Sequence, residues 1–216
     1  MSQKDQPSTD RNPSAVDCQQ SAAHLAIFAS GGGSNARKII EHFHGSHTGK
    51  VALIVSNKAD AGVLAIAAEY NIPTLVINRK GFYETEEILD VLNSHEIDFV
   101  VLAGFLWLAP GYLVKAFKGK IVNIHPALLP KYGGKGMYGH HVHEAVKAAG
   151  EKESGITIHL VNEHYDEGDI IFQTTCPLEP NDSAEDIARK VLALEHHHFP
   201  KIIEQLLSTP TQPPTN

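Results

Sequence analysis

The chain is poor in the residues that mark secreted or membrane proteins. Its 216 residues include two cysteines, Cys18 and Cys176, and a single tryptophan, Trp107. Two thiols cannot build the disulfide framework of a small secreted domain, so a reducing compartment is expected. No apolar run approaches the ~20 residues that span a bilayer. The stretch from Met1 to Cys18 carries Asp, Lys, Gln and Pro where a signal peptide needs an apolar core. Basic residues are also short: 18 Lys and Arg against 25 Asp and Glu give a formal charge of −7. That balance argues against a bulk nucleic-acid or membrane-surface partner. The absences predict a soluble, cytoplasmic protein.

What is present is an ordinary globular composition, 42% hydrophobic, in a chain of the length of one domain. Residues 1–22 and 208–216 are polar or proline-rich and are expected to be disordered tails around a body at 23–207. Within the body, strand and helix signals alternate. Strands are expected at 25–29, 51–55, 74–77, 99–103 and 121–125, and helices at 36–43, 63–70 and 83–95. The wholly apolar run 99–103 suits a strand covered on both faces. This order predicts a Rossmann-like, doubly wound α/β domain with a mostly parallel sheet. A helix at 139–149 and strands at 155–161 and 169–175 follow. A last helix should begin at Ser183 and Asp186, a capping-box pattern, and Pro200 should interrupt it or start a second helix.

Ligands of doubly wound sheets bind beyond the carboxyl ends of the strands. Three segments there carry chemistry. The first is Ser30-Gly31-Gly32-Gly33-Ser34-Asn35, between the first strand and the first helix. Glycines free backbone N–H groups to face an anion, and the helix N-terminus adds partial positive charge. Gly31, Gly33 and Ala36 also fit a dinucleotide fingerprint. That reading wants an acid at the end of the second strand, where this chain has Ser56-Asn57-Lys58. A tight turn without ligand stays open beside both.

The second segment is Asn123-Ile124-His125-Pro126. Residues two apart on a strand share a face, so Asn123 and His125 should point the same way. An amide donor beside a group that exchanges a proton near neutral pH suits an oxyanion that forms and collapses. A capped strand end with one satisfied histidine is the alternative. The third is Asp166, in an acid-rich turn that could simply be solvated. Placed beside His125 it would favour the charged imidazole and raise its pKa. The clusters His140, His141, His143 and His196, His197, His198 lack metal-ligand spacing and read as solvated or partly packed surface. Trp107 is either core or the wall of a pocket for a flat heterocycle.

In order along the chain, these segments, with Val101-Leu102-Ala103-Gly104-Phe105 and the run from Asn123 through Leu128-Leu129-Pro130-Lys131, resemble the folate-dependent phosphoribosylglycinamide formyltransferases. The likeness covers about residues 24–207. It implies a formyltransferase fold and direct formyl transfer from 10-formyltetrahydrofolate, as co-substrate, to the glycinamide amine in purine synthesis. No metal is implied. By the same resemblance Asn123, His125 and Asp166 are catalytic. Gly33, Ser34 and Asn35 hold the ribose phosphate, and Glu195 holds the ribose. Leu106, Trp107, Leu108, Ala109, Asn123, Asn162, Glu163, His164, Tyr165 and Asp166 line the folate pocket. The partners implied are small molecules only, with the chain a monomer or homodimer.

Some positions depart from the family's pattern. The loop 132–141 is longer than usual and lacks a proline. Thr85 and Trp107 stand where relatives often have arginine near the folate, and Leu192 where a glutamine can assist near the ribose. Related formyltransferases that act on tRNA, or that hydrolyse the formyl-folate, are expected to carry an extra C-terminal or N-terminal domain. A binding module without catalysis would not need Asn123, His125 and Asp166 together. Charge is also uneven: residues 99–143 hold five Lys and no Asp or Glu, within an acidic chain. The segments expected to meet anionic ligands are thus locally neutral to basic.

Overall fold

The computed structural model describes residues 21–208. The expected tails lie outside the described residues, apart from 21, 22 and Ser208. The elements run β1 (Ala23–Phe28), α1 (Ser34–Phe43), β2 (Gly49–Ser56), α2 (Gly62–Glu69), β3 (Thr74–Val76), α3 (Arg79–Glu84) and α4 (Glu87–Ser94). They continue β4 (Phe99–Leu102), α5 (Gly111–Ala116), β5 (Ile121–His125), α6 (His140–Ala148), β6 (Glu153–Leu160), β7 (Ile170–Pro177) and α7 (Ala184–Ser208).

Seven strands form one sheet in the order β3-β2-β1-β4-β5-β6-β7. The pairs from β3 to β5 are parallel; β5–β6 and β6–β7 are antiparallel. Successive residues of a strand face opposite sides, and here both sides are buried. Leu25 and Ile27 enter the apolar layer completed by α1, α2, α6 and α7, whereas Ala26 and Phe28 enter the layer completed by α3, α4 and α5. The same split places Val101 on the first side and Val100 and Leu102 on the second. This is the expected doubly wound fold. Its topological switch lies between β1 and β4, where crossovers leave in opposite directions and a crevice opens.

Three expectations change. The single helix expected at 83–95 is two, α3 and α4. Asn78 starts α3 early by accepting the Gly81 N–H at 2.9 Å, and Thr85 ends it in extended backbone with its hydroxyl on the Gly81 carbonyl. α5 was not anticipated: six residues are too short for a helical period to stand out. α7 runs unbroken for 25 residues through Pro200. Pro200 and Phe199 are buried against the sheet, and this packing outweighs the backbone bond that proline cannot make. The capping box at its start is as expected: Ser183 Oγ accepts Asp186 N–H, and Asp186 Oδ2 accepts Ser183 N–H. Among the described residues no helix is long and apolar enough to cross a membrane.

Candidate active site

The carboxyl ends of β1, β4 and β5, with the loop 132–141 and α7, enclose a cavity of about 740 Å³. Asn35, Leu106, Trp107, Asn123, His125, Tyr165, Asp166 and Glu195 all line it. The sequence had assigned each of these to the site.

The glycine loop is built at the switch point. Ser30 N–H donates to the Gly104 carbonyl at 3.0 Å, and Ser30 Oγ accepts the Leu106 N–H at 2.9 Å, tying the β1 and β4 ends together. Gly33 takes a left-handed φ of 78°, and a Cβ there would lie 2.7 Å from Val63 Cβ, so α2 approaches too closely for any other residue. No side chain caps α1 and no acid occupies its first turn. The N–H groups at its start are therefore available to an anion. Asn35 Nδ2 donates to Glu195 Oε2 at 2.5 Å, while its Oδ1 is buried without a partner among the described residues. Burial pushes the Glu195 carboxyl above its usual range, and the Asn35 bond only partly offsets this.

Asn123 and His125 do share a face of β5. Antiparallel pairing sets His159 of β6 opposite Asn123 and Thr157 opposite His125. His159 Nδ1–H donates to the Leu160 carbonyl at 2.9 Å, and its Nε2 accepts from the Asn123 amide at 3.0 Å. His125 is 3% exposed, and its Nε2–H donates to the Tyr132 carbonyl at 2.7 Å. Its Nδ1 lies 3.5 Å from Asp166 Oδ2. Asp166 reaches it because its backbone turns left-handed, φ 57°. The same oxygen accepts the Gly134 N–H at 2.9 Å, and Oδ1 lies 3.6 Å from His159 Nε2.

The charge balance differs from expectation. Burial lowers the His125 pKa, and the opposing pull of Asp166 and the Tyr132 carbonyl does not cancel it. The carboxylate favours the imidazolium, as expected, but desolvation of a nearly enclosed ring is larger. Burial also acts to raise the Asp166 pKa. The nearby imidazoles of His159 and His125 and the hydrogen bond from Gly134 N–H outweigh burial and hold the carboxyl below its usual range.

Other assigned residues sit around the cavity rather than in it. Gly33 and Ser34 form the turn into α1. The Leu108 carbonyl accepts the Tyr83 hydroxyl at 3.0 Å, and Ala109 is in the core. Asn162, Glu163 and His164 belong to the turn that presents Asp166; Asn162 bridges it through the Glu167 carbonyl and the His164 N–H.

The sequence missed several lining groups. Arg79 places its guanidinium over the rings of Tyr83, 5.2 Å from the centroid, and Trp107, 5.9 Å. Helix α6 brings in His143, which was expected at the surface but is 6% exposed, with its pKa lowered by burial to about 4. His140, partly exposed and near Glu144, also lines the cavity, and His141 lies outside it, near the same Glu144. The only available sign for His143 was its place three residues after His140 on a helix, next to apolar Val142 and Val146. Among the described residues no three His, Cys, Asp or Glu side chains converge as a metal site.

Comparison with known proteins bears on this geometry. The formyl transferase family model matches residues 23–203. Over 185 residues the chain is 46% identical to the chloroplastic phosphoribosylglycinamide formyltransferase of Arabidopsis thaliana, with 83% of this chain and 63% of that protein covered. It is 36% identical over 188 residues to the phosphoribosylglycinamide formyltransferase of Bacillus subtilis, covering 85% and 94%. The crystal structure of the phosphoribosylglycinamide formyltransferase from Anaplasma phagocytophilum matches with a TM-score of 0.78 at 36% identity, over 86% of this chain and 87% of that one. The chain spans less than two thirds of the plant protein's length but nearly all of the bacterial one. Fold, strand-end loops and sequence agree: the chain belongs to the formyl transferase family, alongside its phosphoribosylglycinamide formyltransferases.

Proposed function

We propose that the chain transfers the formyl group of 10-formyltetrahydrofolate to the amine of 5-phosphoribosylglycinamide, yielding formylglycinamide ribonucleotide and tetrahydrofolate in purine synthesis. One observation carries the reading. Asn123, His125 and Asp166 meet at a single cavity whose walls also include Asn35 and Glu195 beside the α1 N-terminus. Residues 23–207 are the catalytic domain on this reading. It works on small molecules, as monomer or homodimer, in the cytoplasm.

The ribose phosphate rests on Gly33, Ser34 and Asn35 at the α1 N-terminus, and Glu195 accepts from ribose hydroxyls. The folate lies along Leu106–Ala109 and Asn162–Asp166. The glycinamide amine attacks the formyl carbon, and its nitrogen–carbon bond forms as the carbonyl becomes an oxyanion. The Asn123 amide donates to that oxyanion. His125, neutral at rest because it is buried, takes the amine's proton at Nδ1, beside Asp166, which balances the new charge. The proton passes through water to folate N10 as the N10–carbon bond breaks, and the oxyanion returns to a carbonyl. Holding both reactants in one cavity removes much of the entropic barrier.

The test is to mix purified protein, 10-formyltetrahydrofolate and glycinamide ribonucleotide and follow tetrahydrofolate. Asn123→Ala should lower the rate about 10²–10³-fold, the scale of one lost oxyanion donor. Product without the ribonucleotide would indicate hydrolysis instead. No product with both substrates, or a folded Asn123→Ala variant at near-full rate, would overturn the assignment.

A further inference from the structure

We propose that Glu151, outside the cavity, is a positioning residue: acting through Tyr132, it fixes the acceptor that sets the protonation pattern of His125. The role assigned to His125 under Proposed function is the one it serves.

Neither Glu151 nor Tyr132 lines the active-site cavity; both line a separate small recess with Lys131 and Ser154. Tyr132 has a left-handed φ of 58°, a backbone conformation that L side chains adopt only at a cost. Something must hold it there. Its ring packs on the apolar layer under α6, and its hydroxyl donates to Glu151 Oε1 at 2.8 Å. Lys131 Nζ donates to the same oxygen at 2.9 Å. Lys131 and then Tyr132 hold the Glu151 carboxyl below its usual range, so it is an ionised acceptor for both. Glu151 itself is anchored where α6 ends, its N–H on the Val146 carbonyl at 3.4 Å.

With its side chain held this way, Tyr132 turns its backbone carbonyl onto His125 Nε2. A carbonyl can only accept, so Nε2 carries the hydrogen and neutral His125 leaves Nδ1 bare toward Asp166. If the carbonyl swung away, the better neutral form would be the other one, with Nδ1–H donating to the Asp166 carboxylate. Nδ1 would then have no lone pair to take the amine's proton. Glu151 thus decides between two tautomers of a residue it never touches.

The test uses the full chain with Tyr132→Phe, Glu151→Ala and Glu151→Gln. Folding is checked by circular dichroism, rates by steady-state kinetics, and His125 by ¹⁵N-histidine NMR across pH. The titratable groups facing His125 are Asp166, His159 and His143, and the two histidines are followed in the same spectra. Tyr132→Phe and Glu151→Ala should lower kcat about five- to tenfold with KM little changed, the scale of one lost hydrogen bond. Both should move His125 toward the Nδ1–H form and shift the acid limb of the kcat profile. Glu151→Gln keeps an oxygen for the Tyr132 hydroxyl and should restore most of kcat and the native tautomer. Unchanged His125 signals in folded Tyr132→Phe and Glu151→Ala overturn the proposal, whether or not kcat falls. If the wild-type chain transferred no formyl group, the functional reading would fail alone, because the tautomer shift is read without substrate.

Discussion

The side-chain amide of Asn123 donates to Nε2 of His159 at 3.0 Å, across the antiparallel pair that joins β5 to β6. The imidazole is 2% exposed and held by its own bond to the Leu160 carbonyl, so it is a rigid acceptor. It leaves the second amide hydrogen of Asn123 for the cavity and stands 3.6 Å from Asp166 Oδ1. Replacing His159 with leucine, of similar bulk, should free Asn123 to rotate and lower kcat about tenfold, with the ribonucleotide KM little affected. Steady-state kinetics on the folded variant checks this. Wild-type rates would mean that Asn123 is oriented without it.

This pairing also marks the boundary of what the sequence made legible. The strand 99–102 was readable because every residue in it is apolar, and Asn123 and His125 because the two-residue period of a strand is local. The glycine loop was readable from its place between a strand and a helix. His159 was not, because its partner is 36 positions away and the register of β6 against β5 leaves no local pattern. Asp166 could be singled out from its acid-rich turn but not told from a solvated acid, since its contact with His125 depends on a left-handed turn. The sign of the His125 shift failed for a related reason: a neighbouring charge can be guessed from sequence, but the depth of burial that outweighs it cannot.

Arg79 supplies the second prediction. Thr85 and Trp107 occupy positions where relatives often carry arginine, yet a guanidinium still reaches this wall, lying over Trp107 and Tyr83. Arg79 forms no ion pair with an acid among the described residues. Arg79→Ala should therefore raise KM for the anionic folate about five- to tenfold, from the loss of roughly 1 kcal/mol, and leave KM for the ribonucleotide unchanged. Equal effects on both substrates would argue against a folate-side role.

Acid stability follows from His143. Its pKa falls from 6.5 to about 4 because the ring is buried, so the unfolded chain binds a proton that the folded chain refuses. Stability from this group is present above about pH 6.5 and is lost as the pH falls toward about 4. His125, His196 and His198 shift in the same direction. Thermal melts at pH 7 and pH 5 should show His143→Leu losing about 2 kcal/mol less than wild type on acidification. Parallel losses in the two proteins would rule out His143 as a contributor.

Glu195 makes the opposite case. Its carboxyl is enclosed, and the hydrogen bond from the Asn35 amide does not cancel the cost of burying a charge. Because its folded pKa is raised, its contribution is most favourable below about 4.5 and is lost as the pH rises through the folded value. Glutamine keeps an oxygen for Asn35 without the charge. Glu195→Gln should therefore melt about 2–4 °C higher than wild type at pH 7, as about 1 kcal/mol would give, with no advantage near pH 4. It should also raise KM for the ribonucleotide, since an amide oxygen accepts more weakly from ribose hydroxyls than a carboxylate does. A gain in stability with a loss of binding would identify Glu195 as a charge kept in the core for its ligand. A variant less stable at pH 7, or one with unchanged KM, would identify it as a structural partner of Asn35.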